Sequence, residues 1–339
     1  MNISIRLSNK IKILSFTSII AVVWMHSYYL ECERWSAIYF VQRFVALFAD
    51  FAVPLFFIIS GFLFFVNCGK DYMISFFFSK IKKRVRTLVV PYVIWCTLFI
   101  SAIFVIDFFV DYNTDYFIYC RQGRWGDFLR YVYFEPAAFH LWFVRDLFII
   151  ILCSPIIYLF VRYLPIYVQL TVLFLLGVFQ FIPMLSWGLF WFTIGAMFSI
   201  HQRDIFYFVK PKLAILCLAV FCAIITCFVV FDISLASNHP YAALVILLGV
   251  VGVWNGSDCV YSFQTDRPIF HYTFFVYCAH IPLLNMIKSI IYPRLWDSPV
   301  GCISGFLLSP VITIAICLLV GKLLQLITPS TYRILSGGR

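Results

Sequence analysis

FAVPLFFIISGFLFF, residues 51 to 65, runs for fifteen residues without a charge. With its flanks it becomes an apolar run over 45–66, and about 18 such residues suffice to cross a bilayer core of about 30 Å. Comparable runs recur at roughly 13–30, 88–110, 139–161, 166–182, 185–200, 211–231, 241–254, 268–290 and 303–328. The composition agrees. Of 339 residues, 63% are hydrophobic, 20% aromatic and only 12% charged, against about 25% charged in a typical globular chain. The mean hydropathy is +0.98. A soluble enzyme, a disordered scaffold and a disulfide-rich secreted domain are excluded, and the sequence predicts an all-α polytopic membrane protein with about ten transmembrane helices.

The net charge of +10 is distributed unevenly along these runs. Arg6, Lys10, Lys12, the cluster Lys80, Lys82, Lys83, Arg84, Arg86, then Arg203, Lys210, Lys212, Arg333 and Arg339 fall on one side of the alternation. Arg34, Arg121, Arg124, Arg130 and Arg294 fall on the other. Cytoplasmic loops carry the excess of Lys and Arg, so both termini are expected in the cytoplasm, and the charge needs no nucleic-acid partner. The first run lacks a small-residue cleavage site and reads as a retained signal anchor. About ten residues follow the last run. The expectation is therefore one transmembrane domain over 1–339 with no appended soluble domain, and any chemistry among the helices. Of 12 cysteines, most sit in apolar runs as small hydrophobes. Cys32 and Cys120 fall in outer loops, where they either pair or stay free.

Ionisable groups inside a membrane are expensive and default to a functional hypothesis. At about 1.5 Å per residue, His26 lies roughly 20 Å from the inner face and His280 about 18 Å. His140 and Arg145 open the fourth run from outside. Four such groups from three helices thus reach the outer half of the bilayer. Each has a plainer reading. A lone intramembrane His is as often a structural hydrogen bonder, His140 with Trp142 fits an interfacial aromatic belt, and Arg145–Asp146 fits a helix-end anchor. His271, nine residues before His280, falls on the opposite helix face, so the two form no joint metal site. No HExxH or paired CxxC spacing occurs, and no metal is expected. GxSxG and the glycine-rich phosphate loops are also missing. The cluster KIKKRVRTLVVPY, Lys80 to Tyr92, is either a topology signal or an anion site in which Arg84 and Arg86 grip phosphate.

Five segments together resemble the integral-membrane acyltransferase-3 family: SFTSIIAVVWMH (Ser15 to His26), FAVPLFFIISGFLFF, KRVRTLVVPYVIW (Lys83 to Trp95), HLWFVRDL (His140 to Leu147) and FHYTFFVYCAHIPLL (Phe270 to Leu284). They stand in the family's order and cover about four fifths of the chain. The resemblance implies transfer of an acyl group, usually acetyl, from cytosolic acetyl-CoA as co-substrate to a hydroxyl of a cell-surface polysaccharide or lipid-linked glycan. O-antigen of lipopolysaccharide is one such acceptor. The implied setting is the bacterial inner membrane, multi-pass, with the acyl-CoA donor, the glycan and the bilayer as partners and no bound cofactor.

His26 matches the family's catalytic His and would act as general base on the acceptor hydroxyl. Arg145 or Trp142 would stabilise the oxyanion. Lys83, Arg84 and Arg86 match the basic motif that would hold the CoA phosphates. Ser60, His140 and His280 are possible supporting residues, and Gly61 would let helices approach closely. Two positions depart from the pattern. Ser15 stands where many members have Arg, and Lys12, one turn back and within about 40° of the face of His26, is the candidate replacement for donor binding. Pro54 stands where many have an acidic residue. A glycan or acylated-intermediate transporter that performs no acyl transfer is the alternative reading.

Overall fold

The computed structural model describes residues 3–28, 36–68, 74–110, 117–179, 181, 184–203, 205, 209–235, 241–263, 266–295 and 298–338. Among these residues the chain is helical throughout, with no strand. The helices are α1 (Ile5–His26), α2 (Ala37–Ala49), α3 (Ala52–Phe65), α4 (Ile74–Arg84), α5 (Val90–Val110), α6 (Ile118–Arg121), α7 (Trp125–Tyr133), α8 (Trp142–Leu152), α9 (Ser154–Tyr163), α10 (Ile166–Phe179), α11 (Leu185–Ile200), α12 (Pro211–Val230), α13 (Ala242–Gly256), α14 (Thr273–Leu295), α15 (Pro299–Ile327) and α16 (Pro329–Leu335).

Among the described residues seven helical stretches are long and apolar enough to cross a membrane: Ile5–His26, Ala37–Phe65, Ser75–Ile106, Pro211–Val230, Ala242–Cys259, Pro268–Leu295 and Pro299–Ile327. Phe139–Leu152 and Ser154–Tyr163 would make an eighth, bent by 60° where Pro155 enters α9. Ile166–Phe179 and Leu185–Ile200 are shorter apolar helices. The ten or so expected runs thus resolve, on length and composition, into seven or eight crossings and two shorter helices. Cys32 and His239 lie outside the described residues, and so does the Cys32–Cys120 pairing.

Local chemistry explains where these helices start and break. Ser4, Ser36 and Ser298 accept from the backbone N–H three residues on, which caps α1, α2 and α15. Pro54 has no N–H to return to the carbonyl of Asp50, and the second span breaks into α2 and α3 there. Pro91 similarly frees the Thr87 carbonyl, and the helix widens into a π segment over Val85–Val89. Gly337, at φ +68°, closes on that carbonyl, where a Cβ would sit 2.4 Å from it. Trp95 adds a hydrogen bond to the Leu335 carbonyl at 3.1 Å, so the C-terminal turn is tied to α5.

One correction concerns the first run. It was expected to begin near residue 13, with Lys10 and Lys12 ahead of it, but α1 starts at Ile5 and contains both. Lys10 is fully buried, 2.8 Å from Asp258, with its ammonium 4.7 Å from the centre of the Trp254 ring. An ion pair and a cation–π contact replace its water, which lets the helix extend through a position that hydropathy assigns to the loop.

Helices α3 and α11 cross with backbone against backbone. A Cβ on Gly61 would stand 2.0 Å from the Phe192 carbonyl oxygen, and one on Gly195 would stand 1.9 Å from the Ile58 oxygen. Two glycines facing each other's backbone bring the axes together and bury Phe57, Phe62, Phe64, Phe65, Trp191 and Phe192 almost completely. The close approach expected of Gly61 is what the structure shows. The crossing fixes the wall of the site, because α3 carries Pro54 and α11 carries Trp187.

Candidate active site

His26 ends α1, and α1 ends there because Ser27 turns its hydroxyl back to the Trp24 carbonyl at 2.7 Å. The carbonyls left over at this C-terminus are met from α14. Lys288 Nζ donates to the Tyr28 carbonyl at 2.9 Å and to the His26 carbonyl at 3.4 Å, and the Tyr292 hydroxyl donates to the Ser27 carbonyl at 2.5 Å. A cation at a helix C-terminus also complements its dipole. The backbone of His26 is thereby clamped from α14.

The ring of His26 joins two other imidazoles. Its centroid lies 5.6 Å from that of His280 on α14, and His280 lies 5.2 Å from His140, on the short 3-10 turn Phe139–Leu141. Phe139 stands edge-on to His26 at 5.6 Å. His280 is 0% exposed and His140 4%. Each is oriented by a main-chain carbonyl: His140 Nε2 lies 3.1 Å from the Cys278 oxygen and His280 Nδ1 lies 2.7 Å from the Tyr277 oxygen. A carbonyl can only accept, so these nitrogens carry the protons, and in a neutral ring the other nitrogen is a lone-pair acceptor. Among the described residues those two nitrogens, His140 Nδ1 and His280 Nε2, have no hydrogen-bond partner. The Tyr277 hydroxyl closes the set by donating to the His140 carbonyl at 2.5 Å.

A cavity of about 310 Å³ opens over His26. Its lining includes His26, His140, Trp142, Phe143 and Tyr277, together with Arg43, Asp50, Pro54, Trp187, Ser234 and Leu235. His26, Trp142 and His140 are thus brought together, with His280 behind them. Arg145 does not line this cavity. Its guanidinium is held 2.7 Å from Asp146, whose side chain is 3% exposed, and it also donates to the Phe134 carbonyl. Ser60 is half-buried on α3 and lines neither this cavity nor the apolar groove between α10, α11 and α13.

The candidate donor-binding cations lie elsewhere. Lys83 and Arg84 end α4, and Arg86 stands on the π segment; Lys83 and Arg86 are exposed. Lys12 lies about 21 Å along α1 from His26 and pairs with Asp266, which is also 3.3 Å from His271 Nε2. The Lys12 ammonium, hydrogen-bonded to Asp266, holds that carboxyl below its ordinary range. His271 is half-exposed, on the 3-10 turn Pro268–Tyr272 that precedes α14, and shares Asp266 with Lys12, while His280 is buried within α14. Among the described residues no cluster of His, Cys, Asp or Glu is arranged to hold a metal ion.

Three residues of the site were passed over in the sequence. Asp50 lies inside the 45–66 run and Lys288 inside the 268–290 run, so the rule that singles out His26 also covers them. Arg43 falls just outside the run as drawn from hydropathy, yet it is well inside α2.

The acyltransferase-3 family model, described as an acyltransferase domain, matches residues 9–322. Succinoglycan biosynthesis protein ExoH of Rhizobium meliloti (strain 1021) is 25% identical over 310 residues, covering 85% of this chain and 79% of the relative. No solved structure matches significantly.

Proposed function

The chain belongs to the acyltransferase-3 family of acyltransferase domains, and on that premise we propose that it O-acylates a cell-surface polysaccharide or its lipid-linked precursor at the bacterial inner membrane, drawing an acetyl group from acetyl-CoA. The similarity to a succinoglycan biosynthesis protein supports a glycan acceptor. The observation that carries the chemistry is the position of His26, half-buried on the wall of the cavity, with its main chain clamped by Lys288 and Tyr292.

In this reading the acceptor hydroxyl enters the cavity and gives its proton to His26 as its oxygen attacks the thioester carbonyl. The resulting oxyanion needs a donor, and Trp142, already facing the cavity, is the one we favour. Arg145 would serve only after leaving Asp146 and Phe134. The C–S bond then breaks, the CoA thiolate is protonated, and the products are the O-acyl sugar and free CoA. The CoA phosphates are assigned to Lys83, Arg84 and Arg86 at the inner face, with Lys12 available if it exchanges Asp266 for phosphate. The charge bias supports both termini in the cytoplasm, which goes with an even count of eight crossings, the bent Phe139–Leu152 and Ser154–Tyr163 pair included.

The test is the O-acetyl content of surface polysaccharide from a host lacking the gene, complemented with wild type or with His26→Ala at matched expression. Acetyl restored by wild type alone supports a His-dependent acyltransferase. Equal restoration by both removes His26 from the chemistry. Glycan export that persists in His26→Ala with no acetyl product in either strain favours the transport reading.

A further inference from the structure

From the lining of the cavity that holds His26 we infer a subsite for an uncharged, polyhydroxylated sugar, built by Arg43 of α2 and Asp50 at its C-terminal cap; the inference rests on the glycan acceptor proposed above. The two residues are seven apart, which at 100° per residue returns them to one helix face about 10 Å apart along the axis. Both line the cavity that holds His26.

Their hydrogen-bonding states make the wall a binding surface. Arg43 spends one terminal nitrogen on the loop beyond α12, donating to the Ile233 carbonyl at 3.3 Å, and its guanidinium stands 3.9 Å from Asp232. The Tyr39 hydroxyl holds the same Asp232 at 2.7 Å. The loop thus fixes the guanidinium, while its Nε is buried and has no partner. Among the described residues the Asp50 carboxyl has no hydrogen-bond partner and is not in ion-pair contact with Arg43. A buried donor without a partner is costly unless a ligand satisfies it. A fixed guanidinium and a carboxyl set apart on the lining of one cavity suit sugar hydroxyls, which both accept and donate. Among the described residues Asp232 already stands against the one guanidinium of the subsite, which leaves it no unopposed positive charge to hold an acidic sugar. Trp187 and Leu235, on the same cavity, supply apolar surface for the CH face of a ring.

The experiment uses the full chain in detergent micelles, with acetyl-CoA and de-O-acetylated neutral oligosaccharide as acceptor. Asp50→Asn and Arg43→Gln are expected to raise the acceptor KM by about 10- to 100-fold each, the loss of a hydrogen bond to a charged group, while the acetyl-CoA Kd by calorimetry changes less than threefold. A lowered kcat at unchanged acceptor KM would overturn the subsite, and so would parallel losses of donor and acceptor affinity. Arg43→Lys, which keeps the charge beside Asp232 and removes Nε, guards against a folding defect and should lose acceptor affinity as Arg43→Gln does. Binding of the same oligosaccharide to His26→Ala, with and without Asp50→Asn, separates this inference from the catalytic reading. Binding lost only with the second substitution supports the subsite whatever His26 does. Equal binding by both proteins, or tighter binding of a uronic-acid oligosaccharide, refutes it.

Discussion

Gly195→Ala should separate α3 from α11, and the structure gives the scale. An ordinary Cβ contact begins near 3.4 Å, whereas a Cβ on Gly195 would meet the Ile58 oxygen at 1.9 Å and the Phe62 nitrogen at 2.9 Å. Both are backbone atoms, so no side chain can rotate away, and the helices must part by about 1.5 Å. Even a gap of 0.5–1 Å forfeits about a quarter to a half of a dispersion well, and the interface holds Phe57, Phe62, Phe64, Trp191 and Phe192 at under 1% exposure. The expected loss is about 3 kcal/mol, the upper end for overpacking. Gly61→Ala, which meets the Phe192 oxygen at 2.0 Å, should lose a similar amount. Because the first substitution already opens the crossing, the double variant should lose clearly less than the sum of the two. Reversible unfolding in mixed micelles measures all three, with Gly126→Ala as the control, since nothing lies within 4 Å of its added methyl. Wild-type stability of Gly195→Ala, or strict additivity of the pair, would refute the argument that backbone contact sets this crossing.

Two further outcomes follow from buried charge. Asp258→Asn or Lys10→Met alone should destabilise the protein by about 3–5 kcal/mol, because each leaves its partner buried without a counter-charge; replacing both with apolar residues of similar volume should recover most of that loss, read in the same unfolding assay. Lys288→Met and Tyr292→Phe should lower kcat at unchanged acceptor KM, since both residues donate to main-chain carbonyls around His26 and neither lines the cavity, and Lys288→Arg should restore much of the rate; a rise in KM without a fall in kcat would count against positioning.

The general architecture was legible because apolar runs and loop charges are local properties of the chain. Hydropathy separates helix from loop wherever water and lipid alone compete for a residue. It misplaces the start of α1 because Lys10 is solvated by neither: its partner Asp258 comes from 248 residues away. No window of sequence contains both halves of that pair. The same limit explains Arg43. Its charge argues for a loop, but Asp232 and the Ile233 carbonyl, nearly two hundred residues on, make a helical position tenable.

The candidate site divides along the same line. His26, His140 and His280 could be singled out one by one, since each imidazole stands in or beside an apolar run, but only the packing of α1 and α14 around the Phe139–Leu141 turn places them within 6 Å of one another in series. Arg145 shows the converse. Its sequence position beside Trp142 made it as strong an oxyanion candidate as the tryptophan, yet the neighbouring Asp146, buried at 2% exposure, draws the guanidinium away. A buried carboxylate needs a partner more than a cavity needs a cation. Among the described residues, the charges left on the cavity lining are those that partners occupy only in part or not at all. Arg43, with one nitrogen on the loop and its Nε unused, is in that condition, and so is Asp50. Incomplete satisfaction, more than charge itself, distinguishes groups poised for a ligand from groups that hold the fold.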